Sequence, residues 1–168
     1  MKETPQEYTK RILGYADGKE AMAVQASTAG KLARLIDGVP NEKLKARPAP
    51  QQWSVSEILA HLADGEIVGG WRMRLILGSP GTPLAAYDRD NWVTSGHYDK
   101  RDPRKSLEQF RIMREANLAL LESLDAEQWG HFGMHSERGK ETIEHIARMF
   151  AGHDINHLQQ VERILGHP

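Results

Sequence analysis

Thr142-Ile143-Glu144-His145-Ile146-Ala147-Arg148-Met149-Phe150-Ala151-Gly152-His153-Asp154-Ile155-Asn156-His157-Leu158-Gln159-Gln160-Val161-Glu162-Arg163-Ile164-Leu165 reads as one long helix that stops at Gly166. Thr142 is a capping residue type, and glycine just past the last apolar position is a common helix stop. Ile143, Ile146, Phe150, His153, His157, Gln160 and Ile164 recur at alternating steps of three and four, the seam along which bundled helices pack. Two seam positions therefore carry imidazole where Leu or Phe would be ordinary. Burying each ring without a partner costs on the order of 1–3 kcal/mol. The pair is either hydrogen-bonded to backbone or carboxylate groups, or it ligates a metal ion.

Working outward, three further long helices and a short one are predicted. Thr4-Pro5-Gln6-Glu7 opens a short N-terminal helix to about Tyr15. Asp17 with Glu20 reads as a second capping pair, opening a helix from about Gly18 to Ile36 with Met22, Ala26, Ala29, Ala33 and Ile36 inward. Ser54-Val55-Ser56-Glu57 is a capping box for a helix to Leu77, with Val55, Ile58, Leu62, Gly65, Gly69, Met73 and Ile76 inward. Asp102-Pro103 starts another, with Leu107, Phe110, Met113, Leu120, Leu121 and Leu124 inward. Ser79 to Asp102 has prolines and glycines but no helical period, and Asp125 to Glu141 is a second loop carrying His131 and His135. No strand pattern of any length is present. The reading is an all-α four-helix bundle with a long crossover loop between the second and third bundle helices, plus the short N-terminal helix, as a single domain over 1–168.

Composition narrows the function. Acidic and basic residues nearly cancel, 23 against 22, and no basic-aromatic strip occurs, which argues against nucleic acid as partner. The chain has no cysteine, which excludes disulfides, thiolate metal sites, iron–sulfur clusters and a cysteine nucleophile. No apolar stretch approaches the roughly 20 residues that span a bilayer, and Met1 to Tyr15 lacks the apolar core of a signal peptide. The expectation is a cytoplasmic protein without a membrane partner.

With eight histidines, the four-residue spacing of His153 and His157 decides nothing by itself; their place on the seam does. His61 lies at the edge of its helix's apolar stripe, with Glu57 one turn before it and Asp64 nearly one turn after. Either carboxylate could take the second ring hydrogen of a metal-bound histidine, or the three could form an ordinary surface charge cluster. Asp154 and Asn156 flank the seam, as a solvated face or as supports of the site. Trp92 and His97 of the crossover loop are candidates for closing a pocket. His145 is one step off the seam, and His167 is at the end of the chain. The zinc-protease motif is rejected, because it requires Glu directly after the first histidine and this chain has Asp154. No Glu-x-x-His pair for a di-iron bundle, phosphate loop or glycine-flanked serine nucleophile is present.

The stretches Trp53 to Asp64, Asn91-Trp92, Asn117 to Leu121 and Gly152 to Gln160 together resemble the DinB-like superfamily, which includes the YfiT-like group of candidate metalloenzymes. The resemblance covers about Gln25 to Leu165. It implies a four-helix bundle with a long crossover and a divalent metal, zinc or nickel, on His61, His153 and His157. Many members are dimers, so it also implies a homodimer. Some relatives are thiol-dependent transferases and isomerases, which brings in a low-molecular-weight thiol as a second cofactor. The expected function is a metal-dependent hydrolase or thiol-dependent transferase acting on a small molecule. The alternatives are a non-catalytic metal or small-ligand binding protein, or a structural dimeric bundle.

Overall fold

A computed structural model describes residues 3–166, so His167 lies outside the described residues. Helix α1 (Pro5–Tyr15) is opened by the Thr4/Glu7 capping box with proline in its first turn. Helix α2 (Ala21–Ile36) begins later than Asp17 and Gly18 suggest. Gly18 takes a left-handed φ of 69°, so the chain turns there, and Glu20 becomes the cap by accepting from the Ala23 amide at 2.8 Å. After the short α3 (Asn41–Lys45), Ser54 and Glu57 cap α4 (Val55–Gly78) reciprocally. The crossover then contains β1 (Pro83–Leu84), α5 (Arg89–Ser95) and a single 3₁₀ turn at Tyr98–Lys100. Asp102 caps α6 (Pro103–Glu122), and α7 (Ala126–Trp129), β2 (Phe132–His135) and β3 (Gly139–Thr142) precede α8 (Ile143–Leu165). Thr142 caps α8, and Gly166, at φ 78°, ends it.

The four long helices form a closed ring in which α2 packs on α8, α8 on α4, α4 on α6 and α6 on α2. One apolar cluster joins Leu32, Ile36, Ile58, Leu62, Phe110, Leu158 and Val161 across all four. A second, around Met73, Ile76, Leu121, Ile143 and Ile146, fills the other end. Helix α1 lies outside the ring against α8. At the crossing a Cβ on residue 152 would strike the Ile12 carbonyl, so glycine there allows the two backbones to meet.

Two expectations require correction. The segments read as loops contribute a three-stranded sheet in the order β1-β2-β3, with β1 parallel to β2 and β2 antiparallel to β3. These strands are two to four residues long, too short to show a period. His135 is therefore a buried strand residue rather than a loop one. The inward face of α2 is Gln25, Thr28, Leu32 and Ile36; Ala26 and Ala33 are exposed. On α6, Ser106, Arg114 and Asn117 join Phe110, Leu118 and Leu121 inside. Gln25 and Thr28 donate to the backbone carbonyls of Ala147 and Val24, and Arg114 and Asn117 bond to buried carboxylates. No described helix is long and apolar enough to cross a membrane.

Candidate metal centre and its cleft

His61 sits in the second turn of α4, and His153 and His157 lie one turn apart on the facing side of α8. Their side chains meet. His61 Nε2 is 3.0 Å from His153 Nε2, which is 3.1 Å from His157 Nε2, and the three ligand atoms lie within 4.8 Å of one another. Tetrahedral ligands at the usual metal–imidazole bond length are separated by about 3.3 Å, close to both short edges.

The chemistry of the donor set also fits a cation. His157 Nδ1 lies 3.0 Å from the Gln160 side-chain oxygen. That amide oxygen accepts the Nδ1 proton, which leaves a lone pair on Nε2. The His153 Nε2 proton, if present, cannot serve His61 and His157 together. A cation at the meeting point satisfies all three rings at once.

Burial keeps the rings neutral. It is the main cause lowering all three pKa values, that of His157 to about 4; the neighbouring His157 ring comes next for His61 and His153, and arginines add smaller effects, Arg89 on each ring, Arg114 on His153 and Arg11 on His157. Neutral imidazole is the form that binds a metal, so the site needs no deprotonation near neutral pH. Trp53, just before the α4 cap, packs against His61 with ring centroids 5.0 Å apart and lies parallel to His157 at 6.4 Å. His153 is the ring that reaches solvent, through a cleft it lines together with His61.

The other sequence candidates are placed differently. Glu57 turns back to its own helix cap, accepting from the Ser54 amide at 2.8 Å and pairing with Arg47. Asp64 accepts from the Tyr98 hydroxyl at 2.6 Å and from Arg101 at 2.9 Å. Neither carboxylate hydrogen-bonds to His61 among the described residues, because both are held by partners on their own side of α4. Trp92 packs on Tyr87, centroids 4.5 Å apart, and so supports a cleft wall. His97 is exposed, at φ 48°, at the start of the 3₁₀ turn, and His145 is half-buried.

Asp154 is wholly buried, not solvated. Arg114 donates to its two oxygens at 2.5 and 3.0 Å, to Glu66 at 2.7 Å and to the Gln25 carbonyl at 3.1 Å, while Asn117 donates to the other Glu66 oxygen at 3.0 Å. Burial works against the Arg114 charge, but Asp154 and Glu66 outweigh it and hold the guanidinium ionised. This cluster ties α2, α4, α6 and α8 together directly beside His153. Its sequence signal is positional: Phe110, Arg114, Asn117 and Leu121 follow the same four-three-four steps as an apolar seam.

The model of the DinB superfamily matches residues 26–161 of the chain. Among curated proteins, a relative named "Putative metal-dependent hydrolase" in Halalkalibacterium halodurans is 25% identical over 67% of this chain and 66% of its own length. A namesake in Oceanobacillus iheyensis is 20% identical over 79% of this chain and 76% of its own. The corresponding YfiT protein of Bacillus subtilis is 23% identical over 80% and 76%. A solved structure of Bacillus subtilis YfiT, described as having an unusual four-helix bundle topology, superposes with a TM-score of 0.77 at 21% identity, over 98% of this chain and 91% of that one. With a family match running from α2 into the last helix, the chain belongs to the DinB superfamily.

Proposed function

We propose that the chain is a divalent-metal-dependent hydrolase whose ion, zinc or nickel, is held by His61, His153 and His157. The observation that carries this reading is the convergence of three neutral imidazoles beside an open cleft. The hydrolase names borne by its relatives support it. A divalent ion on three imidazoles supplies Lewis acidity and lowers the pKa of a bound water to about 7. The protein's own residues set the conditions for that chemistry. Burial keeps the rings unprotonated, Gln160 fixes the His157 tautomer, and Trp53 covers one side of the site. His153, the ring on the cleft, marks the side from which substrate approaches.

A divalent ion on three neutral imidazoles would equally stabilise a thiolate from a small thiol, which makes a thiol a second occupant of the site. The test uses protein purified without a histidine tag on a panel of esters and amides, with and without added small thiol. Turnover that a chelator abolishes and one equivalent of zinc or nickel restores supports the proposal, and a requirement for thiol selects the second reading. Turnover indifferent to chelation refutes both. Stoichiometric metal without turnover leaves a metal-binding protein.

A further inference from the structure

The metal site opens onto a cleft with two lobes, an inner one of about 100 Å³ and an outer one of about 460 Å³. Tyr8, Tyr87, Arg138 and His153 line both, so the lobes are continuous beside the histidines. One wall of the inner lobe is apolar, formed by Leu62, Val68, Ile146, Met149 and Phe150. The rest of the cleft lining carries charge, and most of it is compensated within the protein. Glu141 is paired with Arg138 at 2.6 Å, Glu66 with Arg114, and Glu3 with Arg11. Asp90 and Glu137 stand exposed on the outer rim, and Asp88 caps α5.

Two guanidiniums are compensated differently. Arg72 donates to the Ala85 carbonyl at 2.6 Å and meets the His135 ring at 3.3 Å, and its charge lies 5.9 Å from the Tyr87 ring. Arg89 rests over the Tyr8 ring at 5.2 Å. Neither hydrogen-bonds to a carboxylate among the described residues. Arg72 on the inner lobe and Arg89 on the outer lobe thus stand on either side of Tyr8 and Tyr87, which line both, and an anion lodged there would balance two cations whose direct partners are neutral. Burial of Arg72 weakens its hold on its proton, and the nearby Arg138 charge adds to this while Glu141 opposes it. The small sheet explains how the corner is built. Pairing of β1 with β2 brings the crossover, with Tyr87 and Arg89, against the hairpin that carries Arg138.

We propose that this cleft binds a small organic oxyanion, with its charged group between Arg72 and Arg89 and its apolar body against Met149 and Phe150, beside His153. The proposal rests on the metal-site reading only for the claim that this ligand is the substrate; the anion site itself stands on the arginines. Its chemical class is a carboxylate or phosphonate on an apolar group.

The test is calorimetric titration of the full chain with benzoate, phenylphosphonate and the neutral isostere benzamide, both metal-loaded and after chelator treatment, with a parallel zinc titration. The expected result is at least tenfold tighter binding of one of the anions than of benzamide in the chelator-treated protein. Arg89→Gln and Arg72→Gln should each weaken anion binding about tenfold, leaving benzamide unchanged and zinc affinity undiminished. Arg89 is exposed, so its variant remains informative if Arg72→Gln fails to fold. Equal affinities, no binding by either anion, anion binding only when metal is loaded, or anion binding unchanged in Arg89→Gln would overturn the proposal. Stoichiometric zinc without anion binding removes the anion site alone. Anion binding without zinc removes the metal reading and leaves the anion site.

Discussion

The Nε2 atoms of His61 and His153 lie 3.0 Å apart although 92 residues separate them in the chain. Helices α4 and α8 thus aim two imidazole Nε2 atoms at one point, and α8 adds the third from His157 at 3.1 Å. A cation converts this crowding into bonding, and it does so in the folded state, since the three rings are brought together only by the bundle. Zinc at a hundredfold excess over its dissociation constant should therefore stabilise the protein by about 2.7 kcal/mol, raising Tm by roughly 5–10 °C. His61→Ala should abolish the shift while the metal-free protein keeps its helical circular-dichroism spectrum.

Gln160 reaches the same site one step removed. Its side-chain oxygen takes the Nδ1 proton of His157 at 3.0 Å. Gln160→Leu should weaken zinc binding by about 10- to 100-fold without removing a ligand, measured by competition with a chelating dye. An unchanged affinity would show that the His157 tautomer is set elsewhere.

The bundle's centre depends on Arg114 in another way. Arg114→Met leaves Asp154 and Glu66 buried with no cationic partner, which should cost about 3–5 kcal/mol in urea unfolding. Replacing all three residues with apolar ones of similar size should recover much of that loss.

These polar residues are also where sequence reading met its limit. The α8 seam and both its ends were legible, because Thr142, the apolar steps and Gly166 are local signals that agree with one another. The meeting of His61 with that seam came from the family resemblance, since nothing local to α4 says which way its edge residues face. Apolar periodicity could not find Arg114, Asn117, Glu66 or Asp154, because each is polar and becomes a core residue only through partners on other helices. On α2 the same rule favoured small alanines over Gln25 and Thr28, which point inward, where Gln25 donates to the Ala147 carbonyl at 3.0 Å. The cleft arginines had no signal either: Arg72, Arg89 and Arg138 lie on three elements, two of them brought together by strand pairs too short to read.

His135 links the hairpin to acid stability. It is buried in β2, where its Nδ1 accepts from the Glu137 amide at 3.2 Å, and burial, reinforced by Arg138, pulls its pKa down to about 4. A group whose folded pKa is depressed contributes stability that is present above its unfolded value of about 6.5 and is lost as pH falls toward the folded value. Urea unfolding should therefore show stability declining from pH 6.5 to 4, with each such histidine adding up to about 1.4 kcal/mol per pH unit. His135→Gln keeps an acceptor for the amide and should flatten the decline; an identical slope would assign it to other groups.

The most direct measurement is elemental analysis of untagged wild-type protein and of His61→Ala, purified side by side without added metal. One equivalent of zinc or nickel per wild-type chain, with the variant near zero, is the predicted result. A wild-type protein that carries no metal and takes up none on dialysis against zinc, or a variant that retains the full equivalent, would contradict the three-histidine site.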